Sequence, residues 1–109
     1  MRAVMDTLTR LETTIAQRLT AGDERSSYVA LLHARGAPVI ARKLGEEAVE
    51  TIVAALSGSR EDLVGEAADL MFHLLILLGE KGVSLAEVQA ELDRREGVSG
   101  IDEKASRSE

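Results

Sequence analysis

Two segments of this sequence, Pro38–Leu56 and Glu61–Glu80, are apolar nearly all round on a helical wheel, yet each carries a narrow stripe of acids. In the first, Ile40, Leu44, Ala48, Val49, Ile52, Val53, Ala55 and Leu56 cover most of the circumference, and Lys43, Glu46, Glu47 and Glu50 share the remaining arc. In the second, Leu63, Ala67, Leu70, Met71, Phe72, Leu74, Leu75, Leu77 and Leu78 surround Asp62, Glu66, Asp69 and His73. A helix apolar on every side is a buried helix. Carboxylates are seldom buried without a partner. The fold therefore has to turn each acidic stripe toward a cavity or toward the other stripe.

The rest of the chain reads as helix too. Val4, Leu8, Leu11, Ile15 and Leu19 form one stripe of an amphipathic helix that ends near Gly22. Tyr28–Arg35 is a short helix stopped by Gly36, and Pro38 suits the first turn of the next. Ser59 with Asp62, and Ser84 with Glu87, are capping pairs that open the later helices, the last ending near Arg95. No strand-like alternation is present. The expected fold is all-α: a helical bundle with two long central helices. Residues 1–96 form a single domain in this reading, and residues 97–109, polar and aperiodic, a flexible tail.

Composition narrows the chemistry. The 109 residues include no Cys, which removes disulfides, thiolate metal sites and cysteine nucleophiles. Net charge is −6 and aromatics are 2%, so there is neither a basic patch nor a stacking platform for nucleic acid. Apolar runs such as Leu74–Leu78 fall far short of the roughly 18 residues of a membrane span. The opening MRAVMDTLTRLETT lacks the apolar core of a signal peptide. A cytoplasmic protein is expected, with neither nucleic acid nor membrane as partner.

The acids fall in pairs three residues apart, Glu47 with Glu50 and Glu66 with Asp69, so each pair shares one helix face. Two antiparallel neighbours on a short loop can bring both pairs together. Like charges in a semi-buried site are costly unless something neutralises them. Four carboxylates make an all-oxygen site for a hard cation, Mg²⁺ or Mn²⁺ rather than Zn²⁺. A di-iron bundle needs Glu-x-x-His twice, and neither His33 nor His73 has a Glu three residues before it.

The runs GEEAVE and EAADL resemble the E-E-x-x-E … E-x-x-D signature of the all-α nucleoside triphosphate pyrophosphohydrolases, the MazG-like superfamily. More narrowly, SSYVALL, KLGEEAVETIVAA, EAADLMFHLLILL and GVSLAEVQAELDRR are similar to the phosphoribosyl-ATP pyrophosphohydrolase family of histidine biosynthesis, from about Ser26 to Arg95. The resemblance implies Mg²⁺-dependent hydrolysis of phosphoribosyl-ATP to phosphoribosyl-AMP and pyrophosphate. It implies Glu47, Glu50, Glu66 and Asp69 as metal ligands, Glu47 thereby sharing in catalysis, and Glu46 as the group that orients or deprotonates the attacking water. Two positions depart from the family's habit. Val29 stands where it commonly has Thr, and Phe72 where it commonly has Tyr; both lack a hydroxyl that a substrate contact would use. At this length the chain is expected to be the stand-alone form, without the cyclohydrolase domain some relatives carry.

Other residues carry two readings each. Lys43 holds a phosphate oxygen or pairs with a Glu. Arg42 and Arg35 join a phosphate site or lie on the surface. Tyr28 stacks or hydrogen-bonds at the site edge or simply packs. His73, one turn after Asp69, is read as an interior His supporting the site from behind. Gly45, and in the same way Gly65, is read as a close helix–helix contact, because Gly inside a helix costs about 1 kcal/mol relative to Ala. Two helices apolar all round are too much for one small monomer to cover, so a homodimer that completes the bundle is expected. Two rival functions stand beside the first: a house-cleaning (d)NTP pyrophosphohydrolase, and a non-catalytic helical dimerisation module.

Overall fold

The computed structural model describes residues 6–97 and 100–107. Val4 of the expected first stripe, and tail residues 98, 99, 108 and 109, lie outside that description. Among the described residues six helices follow in order: α1 (Thr7–Ala21), α2 (Tyr28–Arg35), α3 (Ala37–Ser57), α4 (Arg60–Glu80), α5 (Leu85–Arg95) and α6 (Gly100–Ser106). The fold is all-α, and no strand occurs among the described residues.

Local chemistry sets the boundaries. The Asp6 carboxylate accepts from Thr9 N at 2.9 Å and opens α1. Ser27 accepts from Ala30 N at 3.1 Å and opens α2. Gly36 ends α2 at φ 97°, a conformation that side chains disfavour, and Pro38 follows in the first turn of α3. Ser59 and Asp62 close a reciprocal capping box on α4, as Ser84 and Glu87 do on α5. Only Gly58 and Ser59 separate α3 from α4, so the two long helices fold back along one another.

The core gathers Ile15 of α1, Val29 and Leu32 of α2, Ile40 of α3, and Leu75 and Ile76 of α4. Leu8, Leu11, Leu19, Val39, Phe72, Leu77, Leu78 and Leu85 pack around it. Helix α5 is tied in at its start, where Leu85 N donates to the Glu12 carboxylate at 2.7 Å. That places a negative charge at a helix N-terminus, where the backbone dipole favours it. At Gly79 a Cβ would meet Leu19 Cδ1 at 2.9 Å, so α1 packs tightly on α4 there.

As expected of two helices too apolar for one chain to cover, Val49, Ile52, Val53 and Leu56 of α3 and Val64, Met71 and Leu74 of α4 are exposed, Leu56 by 82%. The reading of the two helical glycines changes. Neither Gly45 nor Gly65 is a close contact, since a Cβ at either would meet nothing within 4 Å. Gly45 instead lies on the same exposed stripe as Val49, Ile52 and Leu56, at spacings of four, seven and eleven residues. And the aperiodic segment after Gly97 contains α6, whose Ile101 is exposed. Seven residues are too few for a hydrophobic period to announce a helix.

Candidate active site

The two acidic stripes meet where α3 and α4 pack. One carboxylate oxygen from each of Glu47, Glu66 and Asp69 lies within 4.8 Å of the other two. Glu47 and Glu66 are half-buried, and Asp69 is exposed. Glu47 Oε1 and Glu66 Oε1 are both out of contact with water and have no hydrogen-bond partner among the described residues. Buried acceptors are normally satisfied. Two orphaned carboxylate oxygens, at the point where three acids converge, form a donor set that fits a hard divalent cation.

Glu50, one turn along from Glu47, is exposed and lies against Glu66 rather than within the group of three. With Glu66 and Asp62 it lines a cleft of about 290 Å³ bounded by Val53, Ala54, Ser57 and Gly58. Burial, then Glu50, then Glu47 and Asp69 hold the Glu66 carboxyl above its ordinary pKa. No cation offsets them among these causes. A larger cavity, about 450 Å³, lies between α1 and α4 and shares no residue with the acids. Its lining is mostly apolar, from Ile15, Leu19, Leu75 and Leu78, and includes no basic residue to meet a phosphate.

Glu46 faces solvent and takes two cations, Lys43 Nζ at 3.3 Å and Arg42 Nε at 3.6 Å. The Glu46 contact is the chief reason that the Lys43 ammonium is raised above its ordinary pKa. Arg42 and Lys43 thus pair with a Glu, while Arg35 ends α2 as an exposed residue.

On the other flank Tyr28, Phe72 and His73 form an aromatic corner. The Tyr28 ring stacks on Phe72 with centroids 6.2 Å apart. The Tyr28 hydroxyl reaches His73 Nε2 at 2.8 Å. His73 Nδ1 lies 2.7 Å from the backbone oxygen of Asp69, which can only accept, so Nδ1 donates there; in the tautomer with its proton on Nδ1, Nε2 accepts from the Tyr28 hydroxyl. Burial, outweighing nearby Lys43, raises the Tyr28 phenol above its ordinary pKa. Val29 is buried in the core beside Leu32, so that position contributes packing and not a site contact. Phe72 joins the corner by stacking on Tyr28 and by an edge contact with His73, centroids 5.4 Å apart.

Sequence reasoning missed Thr51. Its hydroxyl lies 2.8 Å from the backbone oxygen of Glu47 and 3.1 Å from that of Glu66, on the facing helix. The signal was a β-branched polar residue one turn after Glu47, just before the aliphatic run Ile52–Leu56.

Fold and site together define a class: a helical protein that gathers carboxylates from an antiparallel helix pair, suited to a hard cation and to phosphate chemistry. A family model described as phosphoribosyl-ATP pyrophosphohydrolase matches residues 8–96. The chain is 65% identical over 105 residues to a phosphoribosyl-ATP pyrophosphatase of Erythrobacter litoralis (strain HTCC2594), covering 96% of this chain and all of that protein. Proteins of the same name from Rhizorhabdus wittichii and Novosphingobium aromaticivorans are 62% and 63% identical over 101 residues, covering 93% of this chain and 94% of each. The chain belongs to the phosphoribosyl-ATP pyrophosphohydrolase family.

Proposed function

We propose that this chain hydrolyses 1-(5-phosphoribosyl)-ATP to 1-(5-phosphoribosyl)-AMP and pyrophosphate, the second step of histidine biosynthesis, with Mg²⁺ and as a cytoplasmic homodimer. The observation that carries the reading is the convergence of Glu47, Glu66 and Asp69, with two buried carboxylate oxygens lacking a partner, in a member of this family.

Glu47, Glu50, Glu66 and Asp69 would hold the cation, with Mn²⁺ able to stand in for Mg²⁺. When bound, the cation supplies charge neutralisation for the phosphates and a more acidic water. The protein's own part is to position groups and stabilise charge. Glu46, beside Glu47 and open to solvent, orients the attacking water or takes its proton. Lys43 and Arg42 are held ready by Glu46 and turn to phosphate oxygens when substrate enters; Arg35 adds charge at the rim. Tyr28 presents its exposed ring edge to the substrate, and His73 fixes that hydroxyl from behind.

The dimer covers the exposed stripes of α3 and α4. Contiguous apolar surface of this kind marks an interface in soluble proteins. No helix among the described residues is long and apolar enough to cross a membrane. In this reading residues 1–96 are the enzyme domain and residues 97–109 an appendage to it.

The test is pyrophosphate release by the purified protein, phosphoribosyl-ATP against the common (d)NTPs, with Mg²⁺ and with EDTA. Mg²⁺-dependent turnover with clear preference for phosphoribosyl-ATP is expected. Equal turnover of the (d)NTPs would move the protein to the house-cleaning class, and no turnover of any would leave a dimerisation module.

A further inference from the structure

We infer that Thr51 is a positioning residue for the cation site, holding the two carboxylate-bearing helices at the spacing and register the site needs. The inference rests on the proposed reading of the acids as a cation site. Thr51 is half-buried on α3, one turn past Glu47. Its Oγ1 meets the backbone oxygens of Glu47 at 2.8 Å and of Glu66 at 3.1 Å. Both are acceptors and a hydroxyl has one proton, so that proton is shared between two helices.

The ordinary explanation for such a bond is back-bonding, in which a helical Ser or Thr donates to the carbonyl four residues earlier. Thr13 does this to Thr9, and Ser57 to Val53, both on exposed faces. Thr51 differs in its second acceptor, which belongs to another helix. It differs also in which carbonyls it takes. They are those of Glu47 and Glu66, the two residues whose carboxylates each bury an orphaned oxygen. Asp69, the third member of the group, has its carbonyl held by His73 Nδ1. Glu47 and Asp69 are therefore each fixed at the backbone by a side chain one turn further along their own helix, and Glu66 by Thr51 of the facing helix.

Such fixing has a physical purpose. Before a cation binds, Glu47, Glu66 and Asp69 repel one another across the α3–α4 contact, and repulsion pushes the helices apart. A Glu side chain also has three rotatable bonds, and ordering it is easier when its backbone is already placed. Sites of this kind hold their geometry through the groups behind the ligands.

Thr51→Val keeps the shape and removes the proton. Thr51→Ser keeps the proton and removes the methyl. Mn²⁺ binding to the intact protein, followed by electron paramagnetic resonance and calorimetry, reads the site without turnover; kcat and KM with Mg²⁺ are measured beside it. Thr51→Val is expected to weaken Mn²⁺ binding by roughly 10- to 100-fold, the usual effect of removing a group behind a ligand, and to lower kcat. Thr51→Ser should restore most of both. Thr13→Val, on an exposed back-bond, should match the parent. If Thr51→Val loses helical content, Thr51→Ala takes its place, because it removes the hydroxyl without setting a methyl against Glu66. Parent-like Mn²⁺ affinity in the hydroxyl-free variant overturns the inference, as does a Thr51→Ser that falls as far as Thr51→Val. A parent that binds no Mn²⁺ overturns the cation reading itself and this inference with it.

Discussion

The hydroxyl of Tyr28 lies 2.8 Å from Nε2 of His73 and bridges α2 to α4 one turn past Asp69. His73 is 5% exposed, so the bond forms in a poorly solvated corner. Tyr28→Phe keeps the ring stack on Phe72 and deletes only this bond. It should lower stability by about 1 kcal/mol, the net worth of a typical hydrogen bond. In a domain of this size that is a fall of roughly 4–8 °C in Tm. A variant that melts with the parent would show that the bond contributes nothing.

The four acids make the sharpest prediction. Glu47→Gln, Glu50→Gln, Glu66→Gln and Asp69→Asn should each reduce turnover by at least about 100-fold, the scale of losing a major charge-stabilising group. Steady-state kinetics at saturating Mg²⁺ check it. Near-normal turnover in any two of the four would mean that the acids do not share a cation.

Stability should move the opposite way without metal. Burial and its acidic neighbours raise the Glu66 pKa in the folded protein. The folded state then takes up protons at a pH where the unfolded chain does not. Stability from this group is complete below the unfolded pKa and is lost as pH rises through the raised one. In EDTA at neutral pH, Glu66→Gln should therefore melt above the parent, and the gap should close as pH falls through that window. Saturating Mg²⁺ should reverse the order, since it stabilises the parent by mass action. Thermal melts in EDTA and in Mg²⁺ decide; a parent that is already the more stable in EDTA contradicts the repulsion on which the argument depends.

The exposed stripes give a prediction about assembly. Ile52 is 58% exposed in the single chain, so Ile52→Glu leaves the core untouched. It should convert a dimeric parent into a monomer that keeps its helical content, as measured by light scattering and circular dichroism. A parent that runs as a monomer at micromolar concentration would remove the dimer from the proposed function.

Much of this molecule is legible in its sequence because much of it is local. Pro38, Ser59 with Asp62, and Ser84 with Glu87 sit at helix starts because capping needs only neighbours within three residues. The i, i+3 acid pairs are equally local, and their meeting follows from the short link between α3 and α4. What the sequence hides is rotation and approach. Gly45 and Gly79 look alike as helical glycines, yet only Gly79 has a neighbour where its Cβ would be. Glu46 and Glu47 are adjacent, yet one turns to Arg42 and Lys43 and the other toward Glu66. Thr51 reads as one more β-branched residue until the second helix supplies its other acceptor.

The Gly58–Ser59 link also acts as a ruler. An α-helix advances 1.5 Å and turns 100° with each residue. One residue gained or lost inside α3 between Glu47 and the link leaves every cap intact, yet it swings Glu47 a quarter-turn or more away from Glu66. The acids, the Thr51 hydroxyl and the link therefore form one unit of fixed length, which a change of spacing would break. Variation in chain length has to fall elsewhere: before α1, in the connection between α1 and α2, or past α5.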